Sequence, residues 1–510
     1  MEMKQYLSIN WKWLLTTVPV LLTVALILGS RSVPAVDAAS PAIASQEVSL
    51  DAAYFAQNGQ ASGLTATAAG LTLTPGQDSG VYESGVIETP LAFTTDIAPL
   101  WQADLPAGTT MRLETRLSLA DDVWSDWVEN PEAYYPVRND EYSGNLIWVG
   151  SGQAALQVRV TLSRGQADQA PTLRALALVF SDTSAGPTSA ALASRMAAMS
   201  TAAAVCPPAR PAVVSRTDWG NPDGQNSPRR PPTYALVSHI VLHQAETPNT
   251  LSPYQDWASW VRSIWNYHAN VLRWGDVGYN FMIDPNGVIY EGRAGGDDVV
   301  GIHDTINRGS MSLGFLGCYG NCDDPRLTVV QPNPDMLKSA EALLAWKVGQ
   351  KGLNPLGSGP YGRHSSVPVI AGGRDVIGTT SPGDNLYAAL PALRQAVAEK
   401  NSCTPLPTDT CQIQDVIFDK SQYQVGDPIK VTVRLTDKQG TPLGGAKVTG
   451  EVVKDFVISQ ADTGFNLIDR SGDYDGLYQN TSLAGSYRFL IRASDPTGSR
   501  FLPCTGEKSV

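Results

Sequence analysis

His243-Gln-Ala-Glu-Thr-Pro248 closes a short apolar run. Beyond an amphipathic segment stands Trp274-Gly-Asp-Val-Gly-Tyr-Asn-Phe-Met-Ile-Asp-Pro-Asn-Gly-Val-Ile-Tyr-Glu-Gly-Arg293. The continuous run Ile240, Val241, Leu242 suits a central strand buried on both faces, which would hold His243 at the strand's end on the floor of a groove. Tyr279 to Ile283 and Val288 to Glu291 flank Asp284-Pro285-Asn286-Gly287, a turn with Pro at its second and Gly at its fourth position, so a β-hairpin is expected. Between the two stretches, Ser252, Pro253 and Gln255 form a capping-box pattern. Trp257, Val261, Ile264 and His268 then recur at helical spacing and share one face.

Working outward, Asn333-Pro334 opens a helix carrying Leu337, Leu344 and Val348 that stops near Gly352, and a last helix should run from about Asp384 towards Lys400. Strands interleaved with helices make this region an α/β domain whose strands need not all be parallel. A second stretch, Ala371-Gly-Gly-Arg-Asp-Val-Ile-Gly-Thr-Thr-Ser-Pro-Gly-Asp-Asn-Leu-Tyr387, answers the first.

These two stretches, with Val213 to Gly220 ahead of them, resemble the core of the peptidoglycan recognition proteins and type-2 N-acetylmuramoyl-L-alanine amidases. The resemblance covers roughly Cys206 to Ser402, under half the chain. It implies a mixed sheet with packed helices and peptidoglycan or muropeptides as the partner. It also implies zinc held by a His at the end of the first strand, a His in a Gly-His-Arg-Asp-like segment, and a Cys or acidic residue eight positions on. Carried over, the first ligand position is His243, the second is Gly373 and the third is Ser381, while the assisting catalytic positions are Tyr279 and Thr379.

Glycine has no donor atom, and a serine hydroxyl does not readily ionise near neutral pH. The expectation is therefore a peptidoglycan-binding protein with no cofactor and no zinc-dependent hydrolysis. The groove positions similar to the family's are His268, Trp274, Tyr279, Arg293, His303 and Asn307, with Arg293 suited to a ligand carboxylate. The alternative is an N-acetylmuramoyl-L-alanine amidase whose zinc site is rebuilt, for which His364, Glu246 and His303 remain open. His239 and His243 face one side of a strand but stand roughly 13 Å apart, too far to share an ion.

The rest of the chain is read from pattern. At 510 residues and roughly 100–200 residues per domain, three domains are expected. A net charge of -12 argues against a nucleic-acid partner. Lys4 and Lys12, the apolar run Trp13 to Gly29 and the small residues ending Val36-Asp37-Ala38 are ordered as a secretory signal peptide over residues 1–38. Left uncleaved, that run is also long enough to anchor in a membrane. In either case the remainder lies outside the cytoplasm, secreted or in the cell envelope.

Residues 48–180 alternate as strands, for example Leu156, Val158, Val160 and Leu162, so a β-sandwich is expected there. Trp101, Trp124 and Trp127 in this segment serve either sugar stacking or the core. Residues 181–205, rich in Ala, Ser and Thr, read as a linker. Residues 206–402 are the recognition or amidase-like domain. Residues 411–510, with Ile429, Val431, Val433 and Leu435 alternating and turns at Asp437 to Pro442 and Asp473 to Gly476, read as an immunoglobulin-like sandwich. The economical disulfide pairing is Cys206 with Cys403, Cys318 with Cys322, and Cys411 with Cys504.

Overall fold

The computed structural model describes residues 43–120, 123–132, 141–150, 152, 155–199, 208–251, 255–402, 410–454, 461–482, 484–495 and 500–510. The signal-peptide reading and the Cys206–Cys403 pairing lie outside these residues. The other two expected disulfides, Cys318–Cys322 and Cys411–Cys504, are formed.

The middle region is built on a five-stranded mixed sheet. Its strands are β1 (His239–Gln244), β2 (Phe281–Ile283), β3 (Ile289–Glu291), β4 (Ser310–Phe315) and β5 (Ile370–Gly372), in the order β3-β2-β4-β1-β5. β1 pairs in parallel with β4 and β5, whereas β2 and β3 form the antiparallel hairpin expected around Asp284. The hairpin turn closes because Gly287 adopts φ 81° while Asp284 Oδ1 accepts from the amides of Asn286 and Val288 at 2.9 and 3.0 Å. Every residue of β1 and β4 is buried.

Three helices belong to this sheet: α1 (Trp257–Asn266), α2 (Pro334–Lys351) and α3 (Asp384–Asn401). α2 starts and stops as its sequence requires, with Asn333 accepting from Asp335 N and Gly352 left-handed at the end. α1 departs from expectation. Its cap is Asp256, which accepts from Ala258 N, and Ser252 to Tyr254 lie outside the described residues. Instead of one buried face it is buried all round, because its remaining faces meet the N-terminal strands.

Those N-terminal strands form, among the described residues, two seven-stranded sheets with one shared core including Leu71, Tyr82, Leu113, Val158, Leu178 and Phe180. Ala155–Ser163 alternates buried and half-buried as its sequence does. Trp101 is a core residue stacked on Tyr142. Arg116 lies over the rings of Trp124 and Trp127, and Arg159 also covers Trp127. Trp101 therefore serves the core, while Trp124 and Trp127 each carry a guanidinium against the ring.

Two further expectations are corrected by tertiary contacts. Inside the stretch read as a linker, Ser189–Met199 is a helix, and its Leu192 is fully buried in a core shared with Trp148, Trp219, Trp257 and Trp260. Asp473 to Gly476 belong to strand Asp473–Tyr478 rather than a turn, since buried Tyr474 donates its hydroxyl to Leu443 O at 2.6 Å. This strand lies in one of two four-stranded C-terminal sheets that share a core.

The described residues form one compact unit. The N-terminal sheets reach the middle region through Ser263, which donates to Asp96 Oδ2 at 2.6 Å, through Arg262, which donates to Thr183 O at 2.8 Å, and through Trp148, whose ring N–H donates to Glu246 O at 2.8 Å. The C-terminal sheets reach it through Arg492, which donates to Val237 O at 2.6 Å and to Lys351 O, and through Glu451, which accepts from Leu236 N at 2.8 Å and pairs with Arg308.

Candidate functional site

The register of β1 sets the site. His243 stands opposite Gly314 of β4, and Leu242 before it pairs with Gly372 of β5. A Cβ on Gly314 would come within 2.7 Å of the Tyr279 ring, so the missing side chain makes room for Tyr279 beside His243. On the other side, a Cβ on Gly373 would stand 2.9 Å from both Cε1 and Nδ1 of His243.

The result is a row of five rings. Centroid separations run 4.6 Å from Trp274 to His268, 5.7 Å from His268 to Tyr279, 5.8 Å from Tyr279 to His243 and 5.1 Å from His243 to His303. His268 sits in a π-helical turn, Tyr267–Val271, of the kind often found at functional positions. Its Nδ1 accepts from Gly278 N at 3.1 Å, and burial pushes its pKa down to about 3, so it is a neutral ring at physiological pH. Tyr279 keeps its proton as well, because burial and the nearby charges of Glu246 and Asp304 raise its hydroxyl above the ordinary range.

His303 and Asp304 meet His243 on the Nε2 side. His243 Nε2 lies 3.2 Å from His303 Nδ1 and 3.5 Å from Asp304 Oδ2, and His303 Nδ1 lies 2.9 Å from the same oxygen. Burial alone would raise the Asp304 carboxyl, but the contacts from His243 and His303 outweigh it and hold the group at about 2. Burial lowers His303 below its ordinary value. Asp304 is thus a carboxylate beside a neutral imidazole.

On the Nδ1 side stand the two other positions that the resemblance assigns to zinc. Ser381 Oγ lies 3.4 Å from His243 Nδ1 and accepts from Gln244 N at 3.2 Å. Gly373 brings no donor atom at all. These residues converge where the resemblance places an ion, but one imidazole nitrogen and one neutral hydroxyl do not fit zinc there. The Thr379 hydroxyl accepts from Ser381 N at 3.2 Å and so shapes the loop.

Two of the expected groove residues serve the frame instead. Arg293 is 3% exposed, and its guanidinium donates to Val277 O at 3.3 Å beside Asp276. Asp276 is itself paired at 3.0 Å with Arg216, both completely buried. The frame thus encloses the guanidinium, with its Nε left without a hydrogen-bond partner among the described residues. Asn307 accepts from the amides of His303 and Asp304 at 2.7 and 2.9 Å and returns a bond to Asp304 O, so it fixes the turn that presents them.

Of the residues left open for a rebuilt site, His303 joins His243. His364 lies on the Ser358–Tyr361 and His364–Pro368 hairpin, and Glu246 bonds to Gln244 and Asp323 N. Burial, then the charge of Asp323, raises the Glu246 carboxyl to about 7. Sequence pattern alone does not single out Asp304. The signal available was its position directly after His303.

The family model described as N-acetylmuramoyl-L-alanine amidase matches residues 231–384. Peptidoglycan recognition protein 1 of Bos indicus is 32% identical over 179 residues, which is 34% of this chain and 80% of that protein. Peptidoglycan-recognition protein SC2 of Drosophila simulans is 30% identical over 176 residues, 34% of this chain and 82% of that protein. Among solved structures, Drosophila peptidoglycan recognition protein SA is 24% identical, with a TM-score of 0.28 over 36% of this chain and 91% of that one. The sequence relatives, the matched residues and the strand-end histidine agree, and the chain belongs to the peptidoglycan recognition protein and type-2 amidase-like family.

Proposed function

We propose that the middle region binds muramyl-peptide units of peptidoglycan along the row of rings, without zinc-dependent hydrolysis at the family's metal position. The observation that carries this reading is the Nδ1 side of His243, where Gly373 and Ser381 stand in place of two ligands while the frame around them is kept. Trp274 and Tyr279 offer apolar faces for sugar or peptide methylenes, and the neutral His268 offers a hydrogen-bonding edge. Relatives named as peptidoglycan recognition proteins support the ligand class. The disulfides among the described residues suit an exported protein. We read the flanking pairs of sheets as accessory sandwiches, the C-terminal one immunoglobulin-like.

The test is a calorimetric titration of the full chain with a muramyl tripeptide, run beside an assay for newly released N-terminal alanine from peptidoglycan. Saturable binding without release is expected, and Trp274→Ala should weaken binding by about 1 kcal/mol. No measurable binding overturns the ligand class; release of alanine overturns the absence of hydrolysis.

A further inference from the structure

We propose that this chain holds a divalent transition-metal ion of the zinc class on the Nε2 side of His243, coordinated by His243 Nε2, His303 Nδ1 and Asp304 Oδ2. This is a different face of the imidazole from the one turned to Gly373 and Ser381. The binding reading needs no metal, so the two stand or fall separately.

The geometry is that of one facet of a coordination tetrahedron. An ion with bonds of about 2.0–2.2 Å to nitrogen and oxygen separates neighbouring ligand atoms by about 3.3–3.5 Å. Two of the three separations here, 3.2 and 3.5 Å, are close to that edge, and the third, 2.9 Å between His303 Nδ1 and Asp304 Oδ2, is that of a direct hydrogen bond and would open by a few tenths of an ångström around an ion. They lie within 4.8 Å of one another on three buried residues.

The hydrogen bonds around the cluster point the same way. Ser310 Oγ donates to Asn307 O at 2.9 Å and is thereby open to accept at 3.0 Å from His303 Nε2, the tautomer that turns an Nδ1 lone pair inward. Ser381 Oγ is the partner of His243 Nδ1, and a proton there leaves the Nε2 lone pair inward as well. In that tautomer two nitrogen lone pairs and a carboxylate oxygen face one another at contact distance, and a cation among them takes the place of the proton that His303 Nδ1 otherwise shares with Asp304 Oδ2. The second carboxylate oxygen, Asp304 Oδ1, is buried and has no hydrogen-bond partner among the described residues. Leaving such a group unsatisfied is costly, and bidentate coordination would satisfy it.

The chain also supplies what such sites need beyond the ligands. Each histidine's outer nitrogen is held by a serine, Ser381 for His243 and Ser310 for His303, as metal-bound imidazoles usually require. Asn307 clamps the backbone of His303 and Asp304 and so fixes the two ligands relative to each other. Two imidazoles and one carboxylate select zinc, cobalt or nickel over calcium or magnesium, which prefer oxygen.

The experiment uses the full chain, stripped with a chelator and titrated with zinc alone by calorimetry and with cobalt alone by visible absorption. One ion per chain is expected, with the intense band of low-coordinate cobalt and a zinc-dependent rise in Tm. His303→Ala and Asp304→Asn should each weaken binding by at least about a hundredfold, Ser310→Ala by about tenfold. Ser381→Ala should stay within about tenfold. Circular dichroism of each variant checks folding, and should His303→Ala not fold, His303→Gln takes its place. The proposal is overturned if the natural chain shows no saturable zinc binding, or if binding persists in the His303 and Asp304 variants, which would put the ion on the other face of His243.

Discussion

His243 and Gly373 fit each other so closely that a Cβ at position 373 would lie 2.9 Å from two atoms of the imidazole. The ring is where it is because glycine leaves the space. A histidine donor at 373, as the family resemblance expects, and the present position of His243 exclude each other. Absence of a ligand on one face of the ring is therefore coupled to its contact with His303 and Asp304 on the other.

Gly373→Ala should show that coupling directly. The neighbouring ring is buried and has little room to retreat, so the extra methyl should cost about 1–3 kcal/mol of stability. Denaturant unfolding checks this, with zinc affinity measured alongside and expected to fall. An unchanged midpoint and affinity would mean that His243 has a second position of equal energy.

Asp96 should make the contact between the N-terminal sheets and α1 sensitive to pH. Burial raises its carboxyl from 3.8 to about 6, against the bonds from Ser263 and Thr95 that favour the charge. A raised acid stabilises the fold below its unfolded pKa, and that contribution is lost as pH rises from about 4 through about 6. Asp96→Asn should therefore change little at pH 4 and gain on the order of 2–3 kcal/mol relative to the natural chain at pH 7. A difference that stays constant between those pH values would count against it.

Arg492 ties the C-terminal sheets to two main-chain carbonyls of the middle region. Arg492→Met keeps most of the volume and removes both donors, leaving Val237 O and Lys351 O without them. The expected cost is about 2–4 kcal/mol. In a calorimetric scan, the C-terminal sheets should then melt ahead of the rest. A single unshifted transition would show that the ties do not carry the docking.

Local signals in the sequence were enough for β1, the hairpin at Asp284, α2 with its Asn333 cap and Gly352 stop, and the place of His243. Each depends on residues close together in the chain. What was illegible depends on partners far away in sequence. Arg293 looks like any groove arginine until Asp276 and Arg216 enclose it. Ser189–Met199 has a linker's composition and becomes a helix face only where Leu192 meets the tryptophans. Asp473 to Gly476 has turn chemistry, which the burial of Tyr474 overrides. Sequence leaves His303 open both as a groove residue and as a ligand of a rebuilt zinc site, yet its contact with His243 depends on the Asn307 turn, whose shape no periodicity announces.

The hydrogen bond from Trp148 to Glu246 O, and those of Ser263 and Arg262 to Asp96 and Thr183, all cross the edge of the segment that the amidase model matches. The segment that the family model matches is thus braced by residues outside it. A fragment trimmed to residues 231–384 would strand α1 with open faces and cut the loop behind His243 loose from its brace. Domain-swapping experiments on this protein should therefore cut outside these contacts rather than at the ends of the matched segment.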